Sequence, residues 1–418
     1  MTLGPLAQPR SLRAALPALF AAGVAFAAAQ GFGRFGFGLV LPQMRDGLGL
    51  TTGQMGTLAG IGLAAHLLST LPAGMLAARY GTRPVVLAGL LGTAAGLAAT
   101  AVAESFVGAA LAQAVVGVAG PAVIVPVLSI ASRWVAPSIR GRATGAVVAG
   151  GGIGLLLGGL LVPLLLAGGE PWAWRRAWWG LSLATLVAAA ISGLLVRDPP
   201  ERGDIPGRGG GPARGDIHVR GAGLVAGIGA VYRSRPIWWL ALVYGLYGIS
   251  YIVYGTFFVA HLDRLGVDGP TAGRLWSLAG LAAIGSGVLG GWLADRLGPS
   301  VSLVAMFACQ AGGLALLALG SGPAAIAVSA LLYGASLWGF PSAAMKACAE
   351  LVGPHRAPAA MGLLATMFAV GQAAGPIAAG LLADVSGSLT PGLLFAAGAD
   401  ALGAAASLLL PRARRVLA

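Results

Sequence analysis

The stretch "GMLAARYGTR" (residues 74–83) returns as "GWLADRLGPS" (residues 291–300), 217 residues further along the chain. In this register the conserved-looking positions coincide: Gly74 with Gly291, Arg79 with Arg296, and Gly81 with Gly298. The same shift pairs glycines of other apolar segments: Gly31 with Gly248, Gly38 with Gly255, Gly154 with Gly371, and Gly158 with Gly375. One register relates several distant segments, which indicates that the chain consists of two parallel halves.

The composition indicates that lipid surrounds most of this chain. Of its 418 residues, 57% are hydrophobic and only 9% are charged, whereas a soluble protein carries about 25% charged residues. Such a chain cannot cover a surface that faces water, so we expect it to lie in a bilayer. The 69 glycines agree with this, because small residues let helices approach closely within a membrane.

Twelve apolar runs are long enough to cross the bilayer as helices. They lie at 14–41, 52–77, 84–103, 107–131, 143–167, 177–196, 236–260, 271–293, 300–319, 323–347, 359–383 and 391–410. We therefore predict an all-α membrane protein with two pseudo-symmetric six-helix bundles, at 1–196 and 236–418. Residues 197–235 between them are rich in Gly, Pro and charge, which is typical of a flexible linker.

The arginines predict how the chain is oriented. If the N-terminus is inside, the inner segments hold 19 arginines and the outer segments hold 5. Positive residues prefer the cytoplasmic side of a membrane, so both termini are predicted to be cytoplasmic.

Several function classes are disfavoured by the sequence. The net charge of +13 is explained by topology-setting arginines better than by nucleic acid. The two cysteines and four histidines form no metal-ligand spacing, and no HExxH, G-x-S-x-G or CxxC motif supports an enzyme. A channel would not need the repeat. We expect no cofactor, no metal and a monomer.

The twelve spans, the six-plus-six repeat and the "G-x-x-x-D-R-x-G" loop resemble the major facilitator superfamily. The second loop copy matches this motif with Gly291, Asp295 and Arg296, whereas the first has Ala78 at the acidic position beside Gly74 and Arg79. The resemblance implies that these loops gate the inner side, with Asp295 carrying more of that role. Residues 31–44, "GFGRFGFGLVLPQM", resemble a bacterial subgroup, the YbfB-type transporters.

The resemblance also implies that spans one, four, seven and ten line a central cavity between the halves, where parallel repeats place the substrate path. Arg34 lies inside the first span, and an arginine there is costly, so it is a functional candidate. We interpret it as a cavity residue that grips a carboxylate in a bidentate fork. The alternative is a structural arginine bonded to backbone carbonyls, or one that snorkels outward.

The repeat places Tyr251 opposite Arg34. It belongs to a series with spacings of three, four and three that share one helix face: Tyr244, Tyr247, Tyr251 and Tyr254. We predict that these tyrosines and Trp338 of the tenth span bind substrate, and the alternative is a packing face between helices. One arginine with phenolic hydroxyls suits a singly charged carboxylate or a polar neutral molecule better than a phosphate.

Two titratable residues are candidates for proton coupling. Asp400 lies near the middle of the last span and His66 lies in the second. An acid inside the membrane often marks a proton path, and histidine titrates near neutral pH. The alternative for both is a structural role in helix packing.

These patterns together predict a secondary transporter that works by alternating access. The favoured cargo is a small organic anion, monocarboxylate-like, with protons as the coupling ion. The alternatives are efflux of drug-like or apolar compounds, and a transporter-like receptor that moves no solute.

Overall fold

The structure is a computed structural model that describes residues 12–133, 140–168, 170–196, 231–320, 322–353 and 356–410. Twelve of its helices are long and apolar enough to cross a membrane, and no strand occurs in the described ranges. The predicted all-α architecture with twelve spans is confirmed. Most of the predicted linker, residues 197–230, lies outside the described residues, so the domain boundaries stay a prediction.

We number the spans 1 to 12. Span 1 has three parts, Leu12–Ala27, Ala28–Phe35 and Gly36–Leu48. The rest of the first half follows as Thr52–Tyr80, Thr82–Ala101, Phe106–Arg133, Arg140–Leu166 and Ala173–Leu195. Spans 7 to 9 are Arg235–Arg264, Gly269–Leu297 and Pro299–Leu319. Span 10 has two parts, Pro323–Leu337 and Gly339–Val352, and spans 11 and 12 are Ala357–Ser386 and Thr390–Leu408. The side on which span 1 begins is called the terminal side, and the other the opposite side.

Span 1 departs from the single α-helix that the sequence predicts. Its middle part, Ala28–Phe35, is a π-helix that contains Arg34. Glycines weaken the α-helix here, and Gly31 is pressed against the backbone of Gly154 in span 5. Such π segments are rare and often occur at functional sites.

Span 10 is broken by a proline. Pro341 has no N–H to donate to the carbonyl of Leu337, so that carbonyl is freed from the helix ladder. The hydroxyl of Tyr247 donates a hydrogen bond of 2.6 Å to it. The interruption lies at Trp338, between the two helical parts, three residues before the proline.

The repeat is visible in the turns of the loop motif. Gly81 ends span 2 with φ +90°, and Gly298, at the matching position, ends span 8 with φ +86°. Only glycine adopts this backbone region readily. The last glycine of the motif therefore forms the tight turn into the next span in both halves.

The repeat is equally visible where the halves meet on the opposite side. A side chain on Gly56 of span 2 would collide with the carbonyl of Pro376 in span 11, and one on Gly273 of span 8 would collide with the carbonyl of Gly159 in span 5. These two contacts are related by the 217-residue shift. Spans 2 and 11 and spans 5 and 8 thus form two equivalent interfaces with close backbone contact.

Spans 1 and 7 complete the closure on that side. A side chain on Gly38 would collide with the carbonyl oxygen of Gly255, and these two glycines are themselves repeat-related. Because backbone meets backbone at all three crossings, the opposite side of the molecule is sealed.

Candidate functional site

A cavity of about 580 Å³ lies between the two halves. It reaches the terminal ends of span 5, at Gly141 and Thr144, and of span 10, at Ser342 and Met345. Spans 1, 4, 7 and 10 line it as the resemblance implies, and spans 2, 5, 8 and 11 contribute as well. Its size lies in the range of sites for small molecules, about 300–1,000 Å³. The cavity is open on the terminal side and closed on the opposite side.

Arg34 lies at the closed end of this cavity, one helical turn before Gly38. Among the described lining residues it is the one with a permanent charge, and none is an aspartate, glutamate or lysine. No carboxylate of the described ranges forms an ion pair with it. The cavity therefore carries one uncompensated positive charge at its apex.

The guanidinium of Arg34 is held between the halves. Its Nη2 donates a hydrogen bond to Oε1 of Gln372 in span 11, and its centre lies 5.8 Å from the ring of Tyr251 in span 7. Its Nε is buried without a partner. A donor left unsatisfied at a buried position costs free energy, so the site is prepared for an acceptor.

A small pocket of about 50 Å³ adjoins the cavity behind Arg34. His66 and Gln30 line both spaces, whereas Gln113 lines only the pocket. Gln30 has a buried oxygen without a partner, and Gln113 donates to Thr100 at 3.2 Å. The structure thus brings His66 beside Arg34 and adds Gln30 and Gln372, which sequence reasoning missed because neutral glutamines produce no charge signal.

Three of the four predicted tyrosines line the cavity: Tyr244, Tyr247 and Tyr251. Their rings stack with each other and with Phe340 and Phe368, at centroid distances between 4.1 and 6.2 Å. Aromatic pairs at these distances stabilise a shared orientation. The second half thus presents a wall of parallel rings that faces Arg34.

Tyr254, the fourth, lies outside the cavity lining. It is fully buried, its hydroxyl is 2.9 Å from that of Ser329, and its ring stacks on Tyr333 at 4.0 Å. The packing alternative describes the surroundings of Tyr254 better than contact with a cavity solute.

Trp338 lines the cavity. Its ring meets Phe26 of the first half edge-on at 5.8 Å, and its indole Nε1 is buried without a partner. The indole packs against Gly151 of span 5. A side chain on Gly151 would come within 2.8 Å of Cζ2 of Trp338, so only glycine leaves room for the ring. A free donor therefore faces the cavity from span 10.

Asp400 lies away from the cavity, in the interior of the second half. It is 0% exposed, it lies beside the hydroxyl of Ser250, and no ion pair of the described residues includes it. Gln310 of span 9 lies in the same half, where it donates to Ser250 at 2.8 Å and accepts from Ser336 at 3.1 Å. A buried carboxylate without a cation is very costly.

The loop-motif residues make no contact between the halves in the described structure. Asp295 forms a 2.7 Å ion pair with Lys346 of span 10, in its own half. Lys346 also lies 4.0 Å from Glu350, so its ion pair with Asp295 is the closer of the two. Arg79 lies over the ring of Tyr80, and Arg296 lies over the ring of Trp292. The two motif glycines are in open surroundings. A side chain on Gly291 would meet nothing within 4 Å, and one on Gly74 would only touch Val125. Their role as a gate stays a prediction.

Polar contacts between the halves occur instead on the opposite side. Asp384 of span 11 accepts from the hydroxyl of Thr51 at 2.9 Å and from the N–H of Gly53 at 2.8 Å. Arg264 of span 7 donates to Thr52 at 2.7 Å. A carboxylate at a helix N-terminus is favourable, so the second half caps span 2 of the first.

The matching start of span 8 is capped within its own half. Asp268 accepts from the N–H of Thr271 at 3.0 Å, and this hydrogen bonding holds the pKa of the exposed Asp268 below its usual range. The Asp384 cap therefore belongs to closure between the halves and is not a repeated feature of the fold.

Comparison with known proteins identifies the class. A model of the Major Facilitator Superfamily matches residues 24–376. The chain therefore belongs to the major facilitator superfamily, whose members are transporters and not enzymes. It is a multi-pass membrane protein. The narrower resemblance to the YbfB-type subgroup stays a prediction.

Two curated relatives match part of the chain. Monocarboxylate transporter 13 of Rattus norvegicus is 30% identical over 168 residues, which are 40% of this chain and 39% of that protein. Monocarboxylate transporter 13 of Bos taurus is 27% identical over 188 residues, 44% of each. The chain thus spans less than half the length of the curated relatives it matches.

Solved structures share the fold over nearly the whole chain. A bacterial homologue of the human lysosomal transporter Spinster, in an inward-facing and occupied conformation, has a TM-score of 0.73 at 18% identity, with 94% of this chain and 96% of that chain covered. The nucleoside transporter NupG has a TM-score of 0.71 at 13% identity, with 96% and 99% covered.

Proposed function

We propose that this protein is a secondary active transporter that moves a small organic anion, monocarboxylate-like, by alternating access. The observation that carries the proposal is the single uncompensated charge of Arg34 at the closed end of a cavity between the halves. A guanidinium recognises a carboxylate through two parallel hydrogen bonds. Placed at the apex, it would hold the anion where the two halves meet.

The rest of the lining supports a substrate with an apolar or aromatic body. The tyrosine wall and Phe368 face Arg34 across the cavity, and rings suit flat or aliphatic groups. The unpartnered Nε1 of Trp338 offers one further donor. The partial similarity to two proteins called monocarboxylate transporter 13 agrees with this substrate class.

Binding to purified protein tests the role of Arg34. We expect Arg34→Ala to weaken binding of monocarboxylates by about 10- to 100-fold, because a hydrogen bond to a charged group contributes about 1.5–3 kcal/mol. Arg34→Lys should recover only part of the loss, since lysine cannot form the fork. Thermal shift and calorimetry with acetate, butyrate, benzoate and phenylacetate would measure this.

Arg274→Ala is the matched control, because Arg274 lies on the opposite side and contacts Thr271. It should bind like the wild type. Equal binding of a carboxylate to wild type, Arg34→Ala and Arg34→Lys would refute the proposal. Binding of cationic or apolar compounds alone, without any carboxylate, would favour the efflux alternative. Binding without flux in proteoliposomes would favour the receptor alternative.

Proton coupling is part of the proposal, with Asp400 as the favoured carrier and His66 as the second candidate. Asp400 is buried beside Ser250 in the interior of the second half, whereas His66 lies in the cavity wall beside Arg34. A protonatable acid in the membrane interior is a natural place to bind a proton during the cycle.

Asp400→Asn should uncouple uptake from a pH gradient. We expect gradient-driven uptake to fall at least about 10-fold while exchange at equal pH stays within about 2-fold, because the amide retains the shape but cannot exchange a proton. The control is Glu104→Gln, whose carboxyl is exposed in the loop between spans 3 and 4. Uptake by Asp400→Asn that follows the gradient as in the wild type would shift the assignment to His66. Wild-type uptake that ignores the gradient would exclude proton coupling altogether.

We also propose that the protein resides in a bacterial inner membrane with both termini in the cytoplasm. The arginine distribution supports this orientation. In that orientation the open cavity faces the cytoplasm. One chain supplies both walls of the cavity, which supports a functional monomer, and no nucleic acid is needed for the activity.

A further inference from the structure

We propose that Gln372 occupies a place on Arg34 that the substrate carboxylate takes, and that its displacement releases one link between the two halves. This inference rests on the proposed function. It assigns Gln372 as a positioning and specificity residue that discriminates a carboxylate from neutral molecules of the same shape.

The first step is the isolation of Gln372. Its side chain is 2% exposed in span 11, at a depth where an amide without a partner would be costly. Among the described residues its side chain has one hydrogen-bond partner, Nη2 of Arg34 in the other half. The amide is therefore placed for this guanidinium.

The second step is competition for the same edge of the guanidinium. Gln372 uses Nη2, and the neighbouring Nε has no partner. A carboxylate that takes the edge made by Nε and Nη2 forms two parallel hydrogen bonds, and it must displace the amide oxygen to do so. Gln372 offers one neutral oxygen to the guanidinium, whereas a carboxylate brings a full negative charge and two parallel hydrogen bonds, so a carboxylate can displace Gln372. A neutral amide or alcohol offers only a bond of the kind that it would replace.

The third step is the position of the link. Gln372 is followed by Ala373, whose carbonyl abuts Gly60 of span 2, and that contact continues toward Gly56 and Pro376. The bond from Arg34 to Gln372 therefore lies at the cavity end of the sealed interface between spans 2 and 11. Once a substrate replaces Gln372, this polar link between spans 1 and 11 is lost, and the interface is held only by its remaining contacts.

Gln372→Ala tests the competition directly. The probes are the four monocarboxylates named above, each beside its primary amide, for example phenylacetate beside phenylacetamide. Removal of the competitor should raise the affinity for the acid about 3- to 10-fold, with Arg34 still required, and should raise the affinity for the amide by a smaller factor, because the amide then reaches the guanidinium. Gln43→Ala, a change at an exposed glutamine on the opposite side of span 1, should leave both values unchanged.

Gln372→Glu is the second variant, and it remains informative if the alanine variant does not fold. A carboxylate fixed on Arg34 should raise the melting temperature and weaken acid binding at least about 10-fold. Two outcomes would overturn the inference, provided that Arg34→Ala still loses binding. One is an acid affinity of Gln372→Ala that is equal to or lower than that of the wild type. The other is an acid affinity of Gln372→Glu that is equal to that of the wild type. If Arg34→Ala binds acids like the wild type, the proposed function itself fails.

Discussion

Gly38→Val should slow transport by roughly 30- to 150-fold and leave the protein folded. The side chain of valine would occupy the place of the Gly255 carbonyl oxygen. Overpacking of this kind costs typically 1–3 kcal/mol, and at its upper end that shifts a two-state equilibrium by such a factor. The strain disappears when spans 1 and 7 separate on the opposite side, so the variant should accumulate with its cavity closed on the terminal side.

Two measurements would check this result. Flux of an identified carboxylate in proteoliposomes gives the rate. Labelling of Met345→Cys, in a background with Cys309 and Cys348 replaced by alanine, reports the open cavity, because Met345 lines it near the terminal side. Gly285→Val is the control, since a side chain on Gly285 would meet nothing within 4 Å. If Gly38→Val transports as fast as this control, the sealed crossing does not limit the cycle.

Gly154→Leu should destabilise the first half itself. Gly154 and Gly31 touch through their backbones, and a side chain on Gly154 would collide with the carbonyl of Ala27. This contact lies within one half and cannot be relieved by rocking. We expect a loss of about 3 kcal/mol or more, which corresponds to a fall in melting temperature of at least about 5 °C.

The same variant should weaken carboxylate binding at least about 10-fold, because the crossing supports the π-helix that carries Arg34. Melting in detergent and calorimetry would measure both effects, with Gly285→Leu as the matched control. A variant that melts like the wild type would show that the backbone contact of spans 1 and 5 adds little to stability.

The fold could be predicted from the sequence because it is determined by long segments and not by single residues. Twelve apolar runs and one repeat register survive errors of several residues at any boundary. The register also held in three dimensions, since Gly38 meets Gly255 and the pair Gly56 with Pro376 matches Gly273 with Gly159. Lipid permits only helices or closed barrels to cross it, which leaves few alternatives for such a pattern.

Sequence reasoning singled out candidate residues where they are costly inside a membrane or periodic along one helix face. Arg34 and Asp400 stood out because each is charged inside a span. Gln372 and Gln30 did not, because a neutral glutamine is not unusual in a span by itself and becomes a candidate only through its neighbours in the fold. The π-helix around Arg34 depends on the crossing with Gly154, a contact between spans that no local pattern encodes.

The tyrosine series shows that a helix period identifies a face and not a depth. At 3.6 residues per turn, Tyr254 lies only about 20° from Tyr247 around the helix axis. It lies about one turn beyond Tyr251, past the closed end of the cavity, where its ring stacks on Tyr333. The spacing of three, four and three therefore indicates the shared face, and the end of the cavity decides which of these residues line it.

The two halves contribute different chemistry to the cavity. The first half supplies the permanent charge, and the second half supplies the stacked tyrosines. A charge attracts its counter-ion across a water-filled gap, whereas stacking acts only in contact. When the halves separate around a bound anion, the anion should stay with the first half, and the second should act as a removable lid. Replacement of the substrate's carboxylate would then alter how long the substrate stays bound to the first half. Changes to the apolar part of the substrate would alter whether the second half can close over it.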